Sequence, residues 1–177
     1  RWIAIAVWVM VWHLSGTVAG RAEDVRLESV GVLAGFPANH ASGGFNKVQV
    51  FANWNLPWAL DLGKEWRLQT RADLLAGWLG NEVNDAAIWS AGPSVVLYWK
   101  RVPVSLEAGA SPTVLSRDDF GSRNFGTSVQ FTSHGGLNWD IVRNWRLGYR
   151  FEHMSNAGLS ARNGGLNLHL FCLSYLF

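Results

Sequence analysis

The chain has 177 residues, 49% of them apolar and 13% aromatic, with 11 tryptophans, only 16% charged residues and a formal net charge of +2. That length bounds it to one domain, and the composition excludes disorder, a collagen-like rod, a coiled coil and a disulfide scaffold; Cys172, the single cysteine, leaves no internal disulfide and no multi-cysteine zinc site. The charge is too small and too balanced for a binder that neutralises many phosphates, so no nucleic-acid partner is expected. The many tryptophans point to a membrane instead, although no apolar run of about 20 residues crosses the body of the chain.

The strongly apolar run opens the chain. Arg1 precedes an apolar stretch over 2–14 and a small, polar stretch over 15–22, the layout of a secretory signal peptide. The apolar core is too short to anchor in a bilayer, and Val18-Ala19-Gly20 and Gly20-Arg21-Ala22 both offer small residues at a cleavage site. Residues 1–22 are therefore expected to be a signal peptide and 23–177 the mature domain.

Beyond that leader no 3.6-residue pattern survives, whereas period-two alternation recurs to the end. Eight strands are predicted, over 25–35, 45–56, 66–79, 86–99, 104–114, 124–139, 144–155 and 166–177. The connections over 37–44, 80–85, 115–123 and 157–165 are the longer set; those over 100–103 and 140–143 are short, with 57–65 the exception among the even-numbered ones.

Each strand has two unlike faces. On the third, Trp66, Leu68, Ala72, Leu74, Ala76 and Trp78 alternate with Arg67, Gln69, Arg71 and Asp73. The fourth and fifth carry Trp89, Val95, Leu97, Trp99 and Val104, Leu106, Ala108, Ala110, with Glu107 on the other face. On the sixth, Phe125, Val129, Phe131, Leu137 and Trp139 alternate with Asn124, Ser128, Gln130, His134 and Asn138. The seventh sets Trp145, Leu147, Tyr149 and Phe151 against Asn144, Arg146, Gly148, Arg150 and Glu152. No apolar row carries a charge, so one face suits hydrocarbon and the other can hold ion pairs.

A soluble eight-stranded barrel would alternate as well, with the faces exchanged. Tryptophan placement separates the two. Trp66 and Trp78 close the two ends of one apolar row, and Trp89 and Trp99 close another. At about 3.3 Å per residue and a tilt near 40° each pair is roughly 25–30 Å apart, the height of a lipid-facing band between two aromatic girdles. The chain is therefore expected to be an all-β, eight-stranded antiparallel transmembrane barrel of outer-membrane type, with both termini in the periplasm and the longer connections outside. A barrel so narrow is filled by its own side chains, and Arg67, Arg71, Asp73, Glu107, Arg146, Arg150 and Glu152 read as an ionic plug.

The seventh apolar row continues at its outer end as His153 and Ser155. Residues i and i+2 on a strand share a face about 6–7 Å apart, within reach for imidazole and hydroxyl. Spacing alone leaves two readings open: a nucleophile with its base, or two polar residues where the bilayer ends.

The stretch Phe151-Glu152-His153-Met154-Ser155-Asn156-Ala157-Gly158, followed by Asn163-Gly164-Gly165-Leu166-Asn167 and a final strand, resembles the lipid A 3-O-deacylase (PagL-type) family. Leu56-Pro57-Trp58, Asp61-Leu62-Gly63 and the run from Trp66-Arg67-Leu68-Gln69 to Ala76-Gly77-Trp78-Leu79 resemble it too. The resemblance implies an eight-stranded outer-membrane barrel with its active site on the outer wall, in the outer leaflet of a Gram-negative cell. It implies Ser155 as nucleophile and His153 as general base, and it makes lipid A, or lipopolysaccharide, the substrate. Asn156, Gly158 and Asn163 are then the candidates for an oxyanion hole, and Arg162, with Arg117 and Arg123, for contact with the phosphates of lipid A.

One position departs from the family pattern. Its acidic triad member, a glutamate, corresponds to Asn167, which shares a face with Phe177 and so is expected to point outward. Asparagine can accept the imidazole Nδ1–H but cannot offset the charge that develops on the ring; in a serine-protease triad the Asp-to-Asn change costs about 10⁴ in turnover. Three outcomes stay open: a slower deacylase, an acid supplied by Glu82, Asp85 or Asp118, or an inactive structural or surface-interaction barrel. His40 falls in an outer loop, His134 on the polar face of the sixth strand, and His169 lacks an acidic or Cys neighbour at ligand spacing, so neither a metal nor a cofactor is expected, and Cys172 reads as a packing residue. A homodimer is compatible with the sequence.

Overall fold

Alternation along each segment puts every second side chain outside a sheet that closes on itself. The computed structural model describes residues 24–38, 44–121 and 123–177, so the leader expected over 1–22 and His40 lie outside the described residues. The strands are β1 (Arg26–Pro37), β2 (Asn46–Leu62), β3 (Trp66–Gly80), β4 (Asp85–Trp99), β5 (Val104–Leu115), β6 (Val129–Val142), β7 (Trp145–Ser155) and β8 (Leu166–Leu176). Each pairs antiparallel with the next, and β8 returns to β1, from Ser29 opposite Leu176 to Pro37 opposite Leu168. Closure leaves no unpaired sheet edge, which is the condition for strands to lie in hydrocarbon.

The outer wall is apolar, as the alternation requires. Val30, Val32, Val48, Val50, Leu74, Leu106, Leu137, Leu147, Phe171 and Leu173 are all exposed. Trp66 faces Trp99 across the β3–β4 ladder, and their rings stack 5.2 Å apart at the end of the barrel that carries the short turns. Trp78 and Trp89 mark the other end of the same two strands and are 65% and 49% exposed, so the band is rimmed by tryptophan above and below.

Two strand boundaries differ from the sequence reading by five residues or more. β2 runs on to Leu62 where a connection over 57–65 was expected; its register with β3 shifts between Asn55 and Ala59, and the shift accommodates Pro57, which has no N–H to give to a ladder. β6 starts at Val129 rather than at residue 124. Phe125 therefore lies not on the outer row but wholly buried in the loop cluster, edge-on to Phe45 at 6.0 Å and to Phe120 at 5.6 Å.

The lumen has two layers. Its middle and its turn end hold expected charges joined by Glu28 and Asp140: Arg71 bonds Asp73 at 2.8 Å and Glu107 at 2.9 Å, Arg150 bonds Glu107 at 2.7 Å, and Arg146 bonds Glu28 at 2.8 Å and Asp140 at 2.5 Å. Lys47 pairs with Glu152 across the barrel. Pairing is what allows charges to be buried at all. Towards the loop end the filling turns apolar, with Leu33, Leu79, Ile88, Leu115, Met154, Leu166 and Leu168 all but inaccessible beneath Phe45, Phe120 and Phe125.

Candidate active site

β7 and β8 run side by side up the outer wall, and the register between them puts His153 directly opposite Asn167. The outward phase of β8, ambiguous because both of its faces are apolar, is settled by Phe171, Leu173 and Tyr175, which are exposed while Leu168, Leu170 and Cys172 are buried. Asn167 is thereby on the outer face, and its Oδ1 lies 2.7 Å from His153 Nδ1. An amide oxygen only accepts, so Nδ1 carries the proton and the lone pair is on Nε2. That is the tautomer a general base needs. The partner of the ring is thus Asn167, not Glu82, Asp85 or Asp118.

Ser155 follows on the same outward row, half-buried where the strand ends. The structure joins His153 to Asn167; among the described residues it draws no hydrogen bond between His153 and the Ser155 hydroxyl. Beside both lies Gly165: a methyl added there would sit 3.5 Å from His153 Cε1 and 3.9 Å from Ser155 Cβ. The glycine leaves the surface next to the pair bare. Sequence reasoning missed it, since a glycine just ahead of a strand reads as turn chemistry.

The loop residues sort differently from their expected roles. Asn156 is fully buried, and its Nδ2 donates to the Phe125 carbonyl at 2.9 Å and to the Arg162 carbonyl at 2.5 Å. Its Oδ1 accepts the Gly158 N–H at 2.9 Å, and its own N–H donates to Asn163 Oδ1 at 3.2 Å. A primary amide has two hydrogens, and both are taken. The Asn156 side chain and the Gly158 N–H therefore form a brace between two loops rather than an oxyanion hole in this geometry, with Ala157 and Gly158 in the left-handed region at φ 52° and 87°. Of the three candidates, Asn163 keeps its Nδ2 hydrogens for other partners, and it is exposed.

Arg162 is exposed beside this loop. Arg117 is held by Asn84, and Arg123 turns its guanidinium to the backbone carbonyls of Gly164 and Gly165. Asp119, in the same connection as Arg123, has its carboxyl held below the usual range because the Gly121 N–H and the Asn124 amide donate to it. Two further histidines lie among the described residues. His134 is buried in the lumen, while His169 faces outward with Nδ1 2.7 Å from the Tyr149 hydroxyl, ringed by Phe36 and Phe151. Cys172 is buried and free. No three His, Cys, Asp or Glu side chains converge as metal ligands among the described residues.

This arrangement provides an oriented imidazole, a hydroxyl two residues along the same face, and a bare floor beside them on an apolar wall. It suits acyl transfer from an ester carried by a lipid. Comparison with known proteins bears on the chain as a whole. Residues 46–176 match the family model described as lipid A 3-O-deacylase (PagL). The chain is 29% identical over 144 residues to the lipid A deacylase PagL of Bordetella bronchiseptica, covering 78% of this chain and 81% of that protein. Among solved structures it superposes on the outer membrane enzyme PagL with a TM-score of 0.72 at 20% identity, over 82% of this chain and 97% of that one. A de novo designed transmembrane β-barrel gives a TM-score of 0.52 at 13% identity, over 88% of this chain and 99% of the design.

Proposed function

This chain belongs to the lipid A 3-O-deacylase (PagL) family, and from that membership we propose that it is an outer-membrane serine hydrolase that removes the acyl chain ester-linked at the 3-position of lipid A. The observation that carries the reading is the His153 Nδ1 to Asn167 Oδ1 bond of 2.7 Å on the same outer wall as Ser155. With both termini in the periplasm, the loop end and this site lie in the outer leaflet, at the depth where the ester bonds of lipid A are found.

His153 Nε2 takes the Ser155 proton as the hydroxyl oxygen attacks the ester carbonyl, and a tetrahedral oxyanion forms. Collapse breaks the bond to the sugar oxygen, which leaves with the proton from His153, and the acyl group stays on Ser155. Water, activated by the same ring, then releases the 3-hydroxy fatty acid. Asn163 Nδ2 and the backbone N–H groups at the loop are the donors available for the oxyanion. Asn167 holds the ring in place throughout, but as an amide it adds no negative charge when the imidazolium forms. That observation favours a slower enzyme as the variant of this reading.

Mass spectrometry of lipid A from cells that express the protein tests it. Loss of one 3-hydroxyacyl mass is expected, abolished by Ser155→Ala and by His153→Ala. An unchanged lipid A profile with the barrel folded in the outer membrane would overturn the reading.

A further inference from the structure

Arg123 sits in the long connection between β5 and β6, and its Nη1 donates to the carbonyl oxygens of two consecutive residues, Gly164 and Gly165, at the entry to β8. The side chain is half-buried there, and burial pushes its pKa below the usual arginine value. Solubility does not require such a placement, and a lipid phosphate has no claim on the face that is turned to the carbonyls.

The held segment borders the catalytic row. Continuing the β7–β8 register one step past Met154 opposite Leu166 brings Gly165 across from Ser155, and Gly165 is the residue whose Cβ would lie 3.5 Å from His153 Cε1. Two residues further on, Asn167 meets the ring. The peptide unit is planar and trans, so fixing the Gly164 carbonyl also fixes the Gly165 N–H, and fixing the Gly165 carbonyl fixes the Leu166 N–H. Two adjacent glycines would otherwise leave this stretch with wide backbone freedom. The two loops approach so closely here that a Cβ on Gly164 would meet the Asn124 carbonyl oxygen at 2.6 Å and Arg123 Cγ at 3.0 Å. Gly164 thus admits the arginine, and the arginine immobilises both glycines.

We propose that Arg123 is a positioning residue of the deacylase site: by holding the Gly164 and Gly165 peptide planes it sets the floor beside Ser155 and the placement of Asn167 against His153. The proposal rests on the assignment of Ser155 and His153 given above. It identifies a contribution to the site from a loop about 30 residues away in sequence, and it gives Arg123 a role other than contact with lipid A phosphate.

The test uses the full chain refolded in vesicles, comparing the parent with Arg123→Ala and Arg123→Lys on lipid A and on dephosphorylated lipid A. Backbone amide exchange of the 160–170 segment is followed alongside. Arg123→Ala is expected to lower kcat about 10- to 100-fold with KM within about twofold on both substrates, the effect of small misplacement at a reacting centre. Exchange over 164–167 should quicken while the rest of the barrel stays protected. Arg123→Lys should recover only part of kcat, because the lysine ammonium ends one bond short of the Nη1 position and lacks the rigid plane that aims it. An unchanged kcat overturns the proposal, as does a rise in KM confined to the phosphorylated substrate, which would make Arg123 a phosphate contact. If the parent proves as inactive as Ser155→Ala, the functional reading fails instead. Exchange then decides the bracing by itself, and equal exchange in the parent and Arg123→Ala refutes it.

Discussion

Replacing Asn167 with Asp changes one atom of the side chain's contact with His153 from amide oxygen to carboxylate oxygen while keeping its length. The bond of 2.7 Å to Nδ1 is then made by a full negative charge. A unit charge about 4 Å from the ring's positive centre is worth about 4 kcal/mol at an effective dielectric near 20 and about 1 kcal/mol in bulk water. His153 is exposed near the loop end of the wall, where headgroups and water meet the barrel, so screening there takes the value to about 1–3 kcal/mol. Only the transition state carries the imidazolium, so the gain belongs in kcat: about 5- to 150-fold, with KM little changed. This is well short of the about 10⁴ seen when the corresponding change is made in an enclosed protease triad. Asn167→Glu, which restores the family's residue, carries one more methylene and should gain less unless the ladder shifts to admit it. Initial rates on lipid A in mixed micelles, with parent and variants at equal folded fraction, measure the effect. An Asp variant no faster than the parent refutes the argument that uncompensated ring charge limits the rate, and full activity in Asn167→Leu refutes the placement of Asn167 in the site.

Other expectations follow from the filling and the loops. Arg71→Leu leaves Asp73 and Glu107 buried without one of their cations, and should cost about 3–5 kcal/mol in urea unfolding from bilayers; an equal midpoint for the variant would contradict the pairing seen in the lumen. Asn156→Ala removes a buried amide that makes three hydrogen bonds and strands the Phe125 and Arg162 carbonyls, so it should cost about 2–4 kcal/mol and expose the 156–165 loop to proteolysis while the strands stay protected. Gly77→Ala puts a methyl 2.1 Å from the Val48 carbonyl oxygen, a backbone atom that cannot swing away, and should impair β2–β3 pairing as read by the heat-modified gel shift of the folded barrel. The Asp119 carboxyl, held low by the Gly121 N–H, contributes to loop order above its ordinary titration range, and that contribution disappears as pH falls through its lowered value. Loop proteolysis should therefore not change between about pH 6 and 8 on its account, and Asp119→Asn should abolish any protection gained above the acid range.

What the sequence by itself determined is what alternation controls. Successive Cβ atoms on a strand point to opposite faces, so a row such as Trp145, Leu147, Tyr149, Phe151, His153, Ser155 has its direction written into its spacing, and the tryptophans at 66, 78, 89 and 99 set the height of the band. The eight strands, the polar face turned to the lumen and the outward placement of the His-x-Ser run all follow from that local rule. Asn167 needed one thing more, the β7–β8 register, before its Oδ1 could be placed on the ring. Only the tertiary structure decided where alternation stops. Phe125 continues the outward phase of β6 on paper, yet folds over the lumen because a loop residue is free of the pleat and buries its ring against Phe45 and Phe120. Lys47 and Glu28 entered the ionic layer without a local signal, since their partners Glu152 and Arg146 come from strands far along the chain. For the same reason the sequence offers Asn156 as an oxyanion donor, whereas its hydrogens go to the Phe125 and Arg162 carbonyls, and offers Arg123 for a lipid A phosphate, whereas its guanidinium turns to the carbonyls of Gly164 and Gly165. Side-chain direction along a strand is a property of neighbouring residues; the contacts that shape this site join segments brought together only by closure of the barrel.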